Sequence, residues 1–241
     1  MNYALRSGWD QSHVAASSLL LIAALLCTPA FRMSADALRL AFAGLRPAHA
    51  SAPARAVDPW AAPPFVLHSA SIAEREQAVK CLAAAVYYEA GTETVAGQRA
   101  VAQVILNRVR APTFPASVCG VVFQGARGHA HRHGGCQFSF VCDGSFRRRP
   151  PGADQFAHAR SVAEQALSGG VDTEVGTATH YHASYVHPSW GRRLVKVSRI
   201  GAHIFYRRPG EAGAPAALTK RYAGGELRVA GLDRTLVSSA A

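Results

Sequence analysis

The sequence predicts an α+β domain, helical in its first part and closed by a small antiparallel sheet. Three observations carry this prediction. Apolar residues recur at helical spacing through two segments between Ser71 and Arg110, and a third helical segment covers about Asp154 to Ser168. Strand-like segments rich in β-branched and aromatic residues then follow, "TATHYHA" from Thr177, "RLVKVSRI" from Arg193 and "AHIFYR" from Ala202. Helices followed by strands, with no repeat at solenoid spacing, is the order of an α+β domain.

Taken in order, the first helix opens at "SIAE", where Ser71 and Glu74 have capping-box spacing. It runs to about Ala90, and Gly91 is its stop signal. The second helix covers about Val95 to Arg110, ends before Pro112, and shows an apolar face at Val101, Val104 and Ile105. Residues 111–153 hold Pro, Gly, Cys and His with little periodicity, a long irregular stretch of the kind that often carries function. The third helix ends at Gly169-Gly170, and "HPSWG" from His187 to Gly191 reads as a turn between the first two strands. The folded domain is therefore expected over 71–208, after an Ala/Pro-rich linker at 33–70 and before a flexible basic tail at 209–241.

The chain is 49% hydrophobic and 17% charged, which fits a globular protein. Its formal net charge of +11 points to an anionic partner. Arg147, Arg148 and Arg149 form the one dense basic run, read as a solvated loop. Ahead of the linker, Arg6 precedes an apolar run from Val14 to Phe31. This reads as a signal peptide or membrane anchor over 1–32, with an A-x-A site at Ala48–Ala50 lying far downstream. Export permits disulfides. Setting aside Cys27 in the export segment leaves Cys81, Cys119, Cys136 and Cys142, which allow three pairings. At least one bridge is expected to staple the loop that holds the last three.

Glu89 is the residue that departs from pattern. At 100° per residue it falls on the stripe of Val79, Leu82 and Val86, near its edge. Burial there disfavours the anion and raises the carboxyl pKa, which keeps a proton available for general acid work. A structural alternative makes Glu89 a last-turn residue, neutralised by Arg108 from the second helix. Tyr87 and Tyr88 point to other faces and read as packing or surface residues, not catalytic ones. Two histidine groups compete for attention: "GHAHRHGGC", with His129, His131, His133 and Cys136, and "HYHASYVH", with His180, His182 and His187. Their spacings match no common zinc module. No metal and no cofactor are expected.

The motifs "CLAAAVYYEAGTETVAGQRAVAQVILNRV", "FPASVCGVVFQ", "CQFSFVCDG", "ATHYHASYVHPSW" and "IGAHIFYR" occur in this order. Together they resemble the cell wall hydrolase family that includes the spore cortex-lytic enzymes, over about residues 79–207. The four cysteines look like the version in exported proteins of Gram-negative bacteria. The resemblance implies a lysozyme-related fold and peptidoglycan glycan strands as the partner. The export segment adds a periplasmic or cell-envelope location, with an inner-membrane anchor if that segment is retained, and without a nucleic-acid motif no nucleic acid is expected. It maps the catalytic glutamate onto Glu89. It maps the Q-F-S block onto Gln137, Phe138 and Ser139, and the H-Y-H-A block onto His180, Tyr181, His182 and Ala183, both expected to line the glycan cleft. The usual "EARGE" reads "EAGTE" here, without its arginine. A hydrolytic muramidase normally adds a second carboxylate, whereas a lytic transglycosylase works with one. Asp143 is the leading second candidate and Glu93 the next, but Asp143 directly after Cys142 reads rather as a turn cap, so the reading favours a lytic transglycosylase over a simple muramidase. The alternatives are a non-catalytic wall-binding module on the same fold and a simple hydrolytic muramidase.

Overall fold

The computed structural model describes residues 58–126, 135–149, 151–229 and 231–232. The export segment, most of the linker and His129, His131 and His133 lie outside these residues. Helix α1 spans Ile72–Ala90, α2 Val95–Arg110, and α6 Ala153–Leu167, with the short helices α3 (Val118–Val122), α4 (Ser139–Cys142) and α5 (Ser145–Arg148) between α2 and α6. Strands β1 (His180–Ala183), β2 (Val195–Ile200) and β3 (His203–Arg207) form one antiparallel sheet in the order β1-β3-β2. This is the α+β arrangement expected, helical with a small three-stranded sheet. The segment 111–153, read as irregular, holds the three short helices.

The start of α1 follows from its cap. The Ser71 hydroxyl accepts from the Glu74 amide at 3.1 Å. Glu74 does not close a reciprocal box onto Ser71; its Oε2 accepts from the Ala70 amide and its Oε1 from the Gly225 amide, each at 2.7 Å. At the other end the backbone of Gly91 stays right-handed, and a side chain there would run into the Tyr87 carbonyl. Within α1, every residue from Cys81 to Val86 is fully buried. The expected single stripe is thus a helix buried all round in its middle. The reason is the run Ala83–Ala85, whose small side chains let α2, α3 and α6 pack closely around it.

Two disulfides resolve the pairing: Cys81 with Cys119, and Cys136 with Cys142. The first ties α1 to α3 across a sequence separation of 38. By loop-closure entropy such a bridge stabilises by about 4 kcal/mol. The second staples the irregular loop, as expected. Arg160 on α6 adds a two-pronged pair with Glu76 on α1, both contacts at 2.7 Å.

The compact body is wider than 71–208. Phe65 and Leu67 are buried, the Leu67 amide donates to the Leu167 carbonyl, and Val66 bridges to Ser168. The segment expected to be a flexible tail is docked over 213–227. Thr177 donates to the Gly213 carbonyl, the Lys220 amide to Arg110, and the Ala223 amide to Ala116. The Gln77 side chain donates to the Leu227 carbonyl at 3.0 Å. Both oxygens of Glu226 accept amides of Val118 and Cys119, at 2.8 and 2.7 Å, and so cap α3. Gly/Ala/Pro-rich composition signals mobility only when backbone groups have no partner. Here helix ends and exposed carbonyls supply them.

Candidate active site

Glu89 is the penultimate residue of α1, where the helix leaves the core. The residue is partly exposed, but its Oε1 is fully buried and has no hydrogen-bond partner among the described residues. Its Oε2 accepts from the Tyr181 hydroxyl at 3.0 Å. Burial pushes the Glu89 carboxyl above its ordinary value. The Tyr181 hydrogen bond and the charge of Arg108 pull the other way, while Asp143 adds to the rise. Burial next to Glu89 also pushes the Tyr181 phenol well above its usual range, so it stays a donor.

Tyr181 reaches Glu89 because β1 alternates. Tyr181 pairs with Phe205 of β3, and its ring packs against Phe205, Phe138 and His203. Behind it lies Arg108, only 5% exposed, its guanidinium between the rings of Phe114 and Phe138 at 5.2 and 5.3 Å. Arg108 Nε donates to the Thr179 carbonyl at 2.7 Å. It makes no ion pair with Glu89 among the described residues, so it acts on the carboxyl through its field, not by contact. His180 is held neutral, its pKa lowered to about 4 by burial and by Arg108 and Arg208.

A cavity of about 360 Å³ opens at Glu89, lined among others by Tyr87, Tyr88, Ser139, Asp143 and Arg149. Tyr88 stacks on Phe140 with centroids 4.8 Å apart and planes within 10°, and its hydroxyl donates to the Arg149 carbonyl at 2.7 Å. Asp143 lines the same cavity and is exposed. Its Oδ1 accepts from the Ser145 amide at 2.7 Å, and hydrogen bonds from Ser145 hold its carboxyl below the ordinary value.

The structure therefore brings Glu89, Tyr181, Ser139 and Asp143 together, with Phe138 as buried backing. It does not bring Gln137 or His182 to this cavity. Gln137 is exposed and does not line it. His182 is one residue past Tyr181 and so faces the other side of the sheet, where its Nε2 meets the Tyr206 hydroxyl at 2.9 Å. Glu93 is also elsewhere: its Oε1 accepts the Ala202 amide at 2.9 Å and lies 3.7 Å from His203 Nδ1, fixing the β2–β3 turn. Tyr87 and Tyr88 pack against the core, as expected of packing or surface residues, and both also line the cavity. The adjacency to Glu89 was the available signal. Among the described residues no three His, Cys, Asp or Glu side chains are grouped to hold a metal ion. No helix among them is long and apolar enough to cross a membrane.

Residues 92–206 match a family model described as Cell Wall Hydrolase. The spore cortex-lytic enzyme of Bacillus subtilis (strain 168) is 37% identical over 130 residues, covering 53% of this chain and 36% of that protein. The spore cortex-lytic enzyme of Halalkalibacterium halodurans is 35% identical over 127 residues, covering 53% and 34%. The chain spans about a third of the length of these curated relatives. Among solved structures, the catalytic domain of the Bacillus cereus SleB protein is 30% identical and matches 59% of this chain and 95% of its own, with a TM-score of 0.44. The catalytic domain of the germination-specific lytic transglycosylase SleB from Bacillus anthracis is 31% identical, covering 55% and 95%, with a TM-score of 0.43.

Proposed function

Because residues 92–206 match the Cell Wall Hydrolase family model, we propose that the chain cleaves peptidoglycan glycan strands between N-acetylmuramic acid and N-acetylglucosamine, as a lytic transglycosylase. The observation that carries this reading is the state of Glu89. Its carboxyl is raised by burial, anchored through Oε2 by Tyr181, and opens onto a cavity with an aromatic wall. Protonated Glu89 donates to the glycosidic oxygen as the C1–O bond breaks. The C6 hydroxyl of the muramic sugar attacks C1, and the Glu89 carboxylate takes its proton. One proton leaves Glu89 and one returns, so no water is consumed and the product carries a 1,6-anhydro ring. Sugar-ring stacking on Tyr88 would hold the strand in place. The name of the Bacillus anthracis relative, a lytic transglycosylase, agrees with this chemistry.

One observation favours a second reading. Asp143 lines the same cavity with its carboxyl held below the ordinary value, as the second carboxylate of a hydrolytic muramidase would be. Its bonds to Ser145 equally fit a turn residue. Two disulfides fit an oxidising, extracytoplasmic setting. The periplasm and an N-terminal export segment complete the proposal. Replacing Glu89 by Gln tests it: soluble anhydro-muropeptides from purified sacculi should disappear. Undiminished release would remove Glu89 from the chemistry. Binding to sacculi without any product from the native chain would leave a wall-binding module.

A further inference from the structure

The outer face of the sheet is unlike the face that carries Tyr181. Between Glu174 and Glu211 the sequence holds six Lys and Arg residues (Arg192, Arg193, Lys196, Arg199, Arg207, Arg208) and no Asp or Glu. Strand pairing sorts several of them. Lys196 lies opposite Tyr206 and Arg199 opposite Ile204, while His180 and His182 face the same two β3 residues from the other side. Lys196, Arg199, His180, His182, Ile204 and Tyr206 therefore share the outer face. Lys196 and Arg199 are three apart, and would point to opposite faces of a regular strand. The irregularity between Lys196 and Ser198 inserts one residue and brings both cations to one side.

This face has a cavity of about 610 Å³, lined by His182, Ser184, His187, Ser189, Arg192 and Tyr206, among others. Arg199 reaches its wall through Ser184, Nη2 to Oγ at 3.5 Å. The floor is preorganised. His182 Nδ1 meets the Ala183 carbonyl at 2.9 Å, so Nδ1 carries the proton and Nε2 accepts from the Tyr206 hydroxyl. The His182 and Tyr206 rings stack at 5.2 Å, with Trp190 edge-on to both. Arg192, Arg193, Lys196 and Arg199 are exposed, and none forms an ion pair among the described residues.

We propose that this outer groove is a second binding site, for the carboxylates of the peptide stems of peptidoglycan. The proposal rests on the wall-cleaving reading for its choice of polymer. Stem peptides supply carboxylates on a flexible chain, which Arg192 in the groove, Arg199 at its wall and Lys196 on the same face of the sheet complement. A glycan strand at Glu89 and a stem on the outer face would engage β1 from its two sides. The outer site would hold the enzyme on the wall between cuts.

The test is equilibrium binding of the full chain to a synthetic stem peptide with free carboxylates, which involves no glycan cleavage and so does not depend on Glu89. Arg192→Gln with Arg199→Gln should weaken binding about tenfold, as expected for two charge-assisted contacts. Arg221→Gln with Arg228→Gln removes the same charge from exposed positions elsewhere and should change it by about twofold or less. Lys196→Gln should give an intermediate loss, and circular dichroism checks that each variant is folded. Amidating the peptide carboxylates should abolish binding to the groove. Equal losses in the two double variants would overturn the proposal, as would unchanged binding of the amidated peptide. So would tighter, Arg192- and Arg199-dependent binding of duplex DNA or phosphatidylglycerol vesicles, which would assign the face to another polyanion.

Discussion

The two walls of the Glu89 cavity present the same functional group in opposite settings. The helix wall holds Glu89 at the end of a buried α1, backed by the sheet, with one oxygen sealed from water. The loop wall holds Asp143 between two four-residue helices, in water, beside Arg148 and Arg149. Burial raises the first carboxyl; hydrogen bonds and neighbouring arginines lower the second. Two carboxyls pushed apart in this way are suited to different tasks, one to carry a proton and one to stay an anion. The wall, not the residue type, sets the role.

The largest expected effect separates the two walls outright. Glu89→Gln should lower kcat on sacculi about a thousandfold, within the range for loss of a general acid. Asp143→Asn should cost about threefold or less if the anion does no chemistry, by the measure of an exposed group. A loss for Asp143→Asn that rivals the first would make the loop wall a partner in hydrolysis.

Tyr181→Phe probes how the helix wall is supported from β1. It removes the one hydrogen bond to Glu89 Oε2 and should lower kcat about tenfold, the worth of a hydrogen bond to a charged group. Because that bond lowers the Glu89 pKa, its loss should move the alkaline limb of the kcat/KM profile to higher pH. A purely packing role for Tyr181 would leave the limb in place.

A smaller effect should appear in stability. The folded Glu89 pKa lies above its ordinary value of 4.5. Its protonated form is therefore favoured by folding, and that contribution is complete below the unfolded pKa and lost as pH rises through the folded one. Glu89→Gln removes the cost of a buried anion. The variant should melt above the native protein at neutral pH, and the gap should close as pH falls towards 4.5. A gap that is the same at both pH values would place Glu89 in water like Asp143. The corresponding Asp143→Asn series should run in the opposite sense, with the variant losing ground as pH rises.

Much of the helix wall was legible in the sequence. Ser71, Gly91 and the Val79–Leu82–Val86 stripe are local signals, and they placed Glu89 at the edge of a core. Strand alternation also separates Tyr181 from His182, so the outward turn of His182 could have been drawn from the H-Y-H-A block itself. What local pattern cannot supply is long-range pairing. The Tyr181–Glu89 bond joins residues 92 apart, and Glu226 caps a helix more than 100 residues earlier. Polar partners of that kind turned an apparent tail into part of the domain. The Tyr88–Phe140 stack, which builds the cavity wall, depends on a loop whose path the Cys136–Cys142 bridge fixes. The resemblance pointed to the Q-F-S and H-Y-H-A blocks, and the fold sorts Tyr181 and His182 between the two faces of the sheet.

The most direct test of the account is the mass of the soluble products that the native chain releases from purified sacculi. A single acid/base at Glu89 with no water consumed predicts muropeptides ending in 1,6-anhydro sugars, each lighter by one water than the hydrolysis product. Products with ordinary reducing ends would contradict it, and would give the anion on the loop wall the work of activating water.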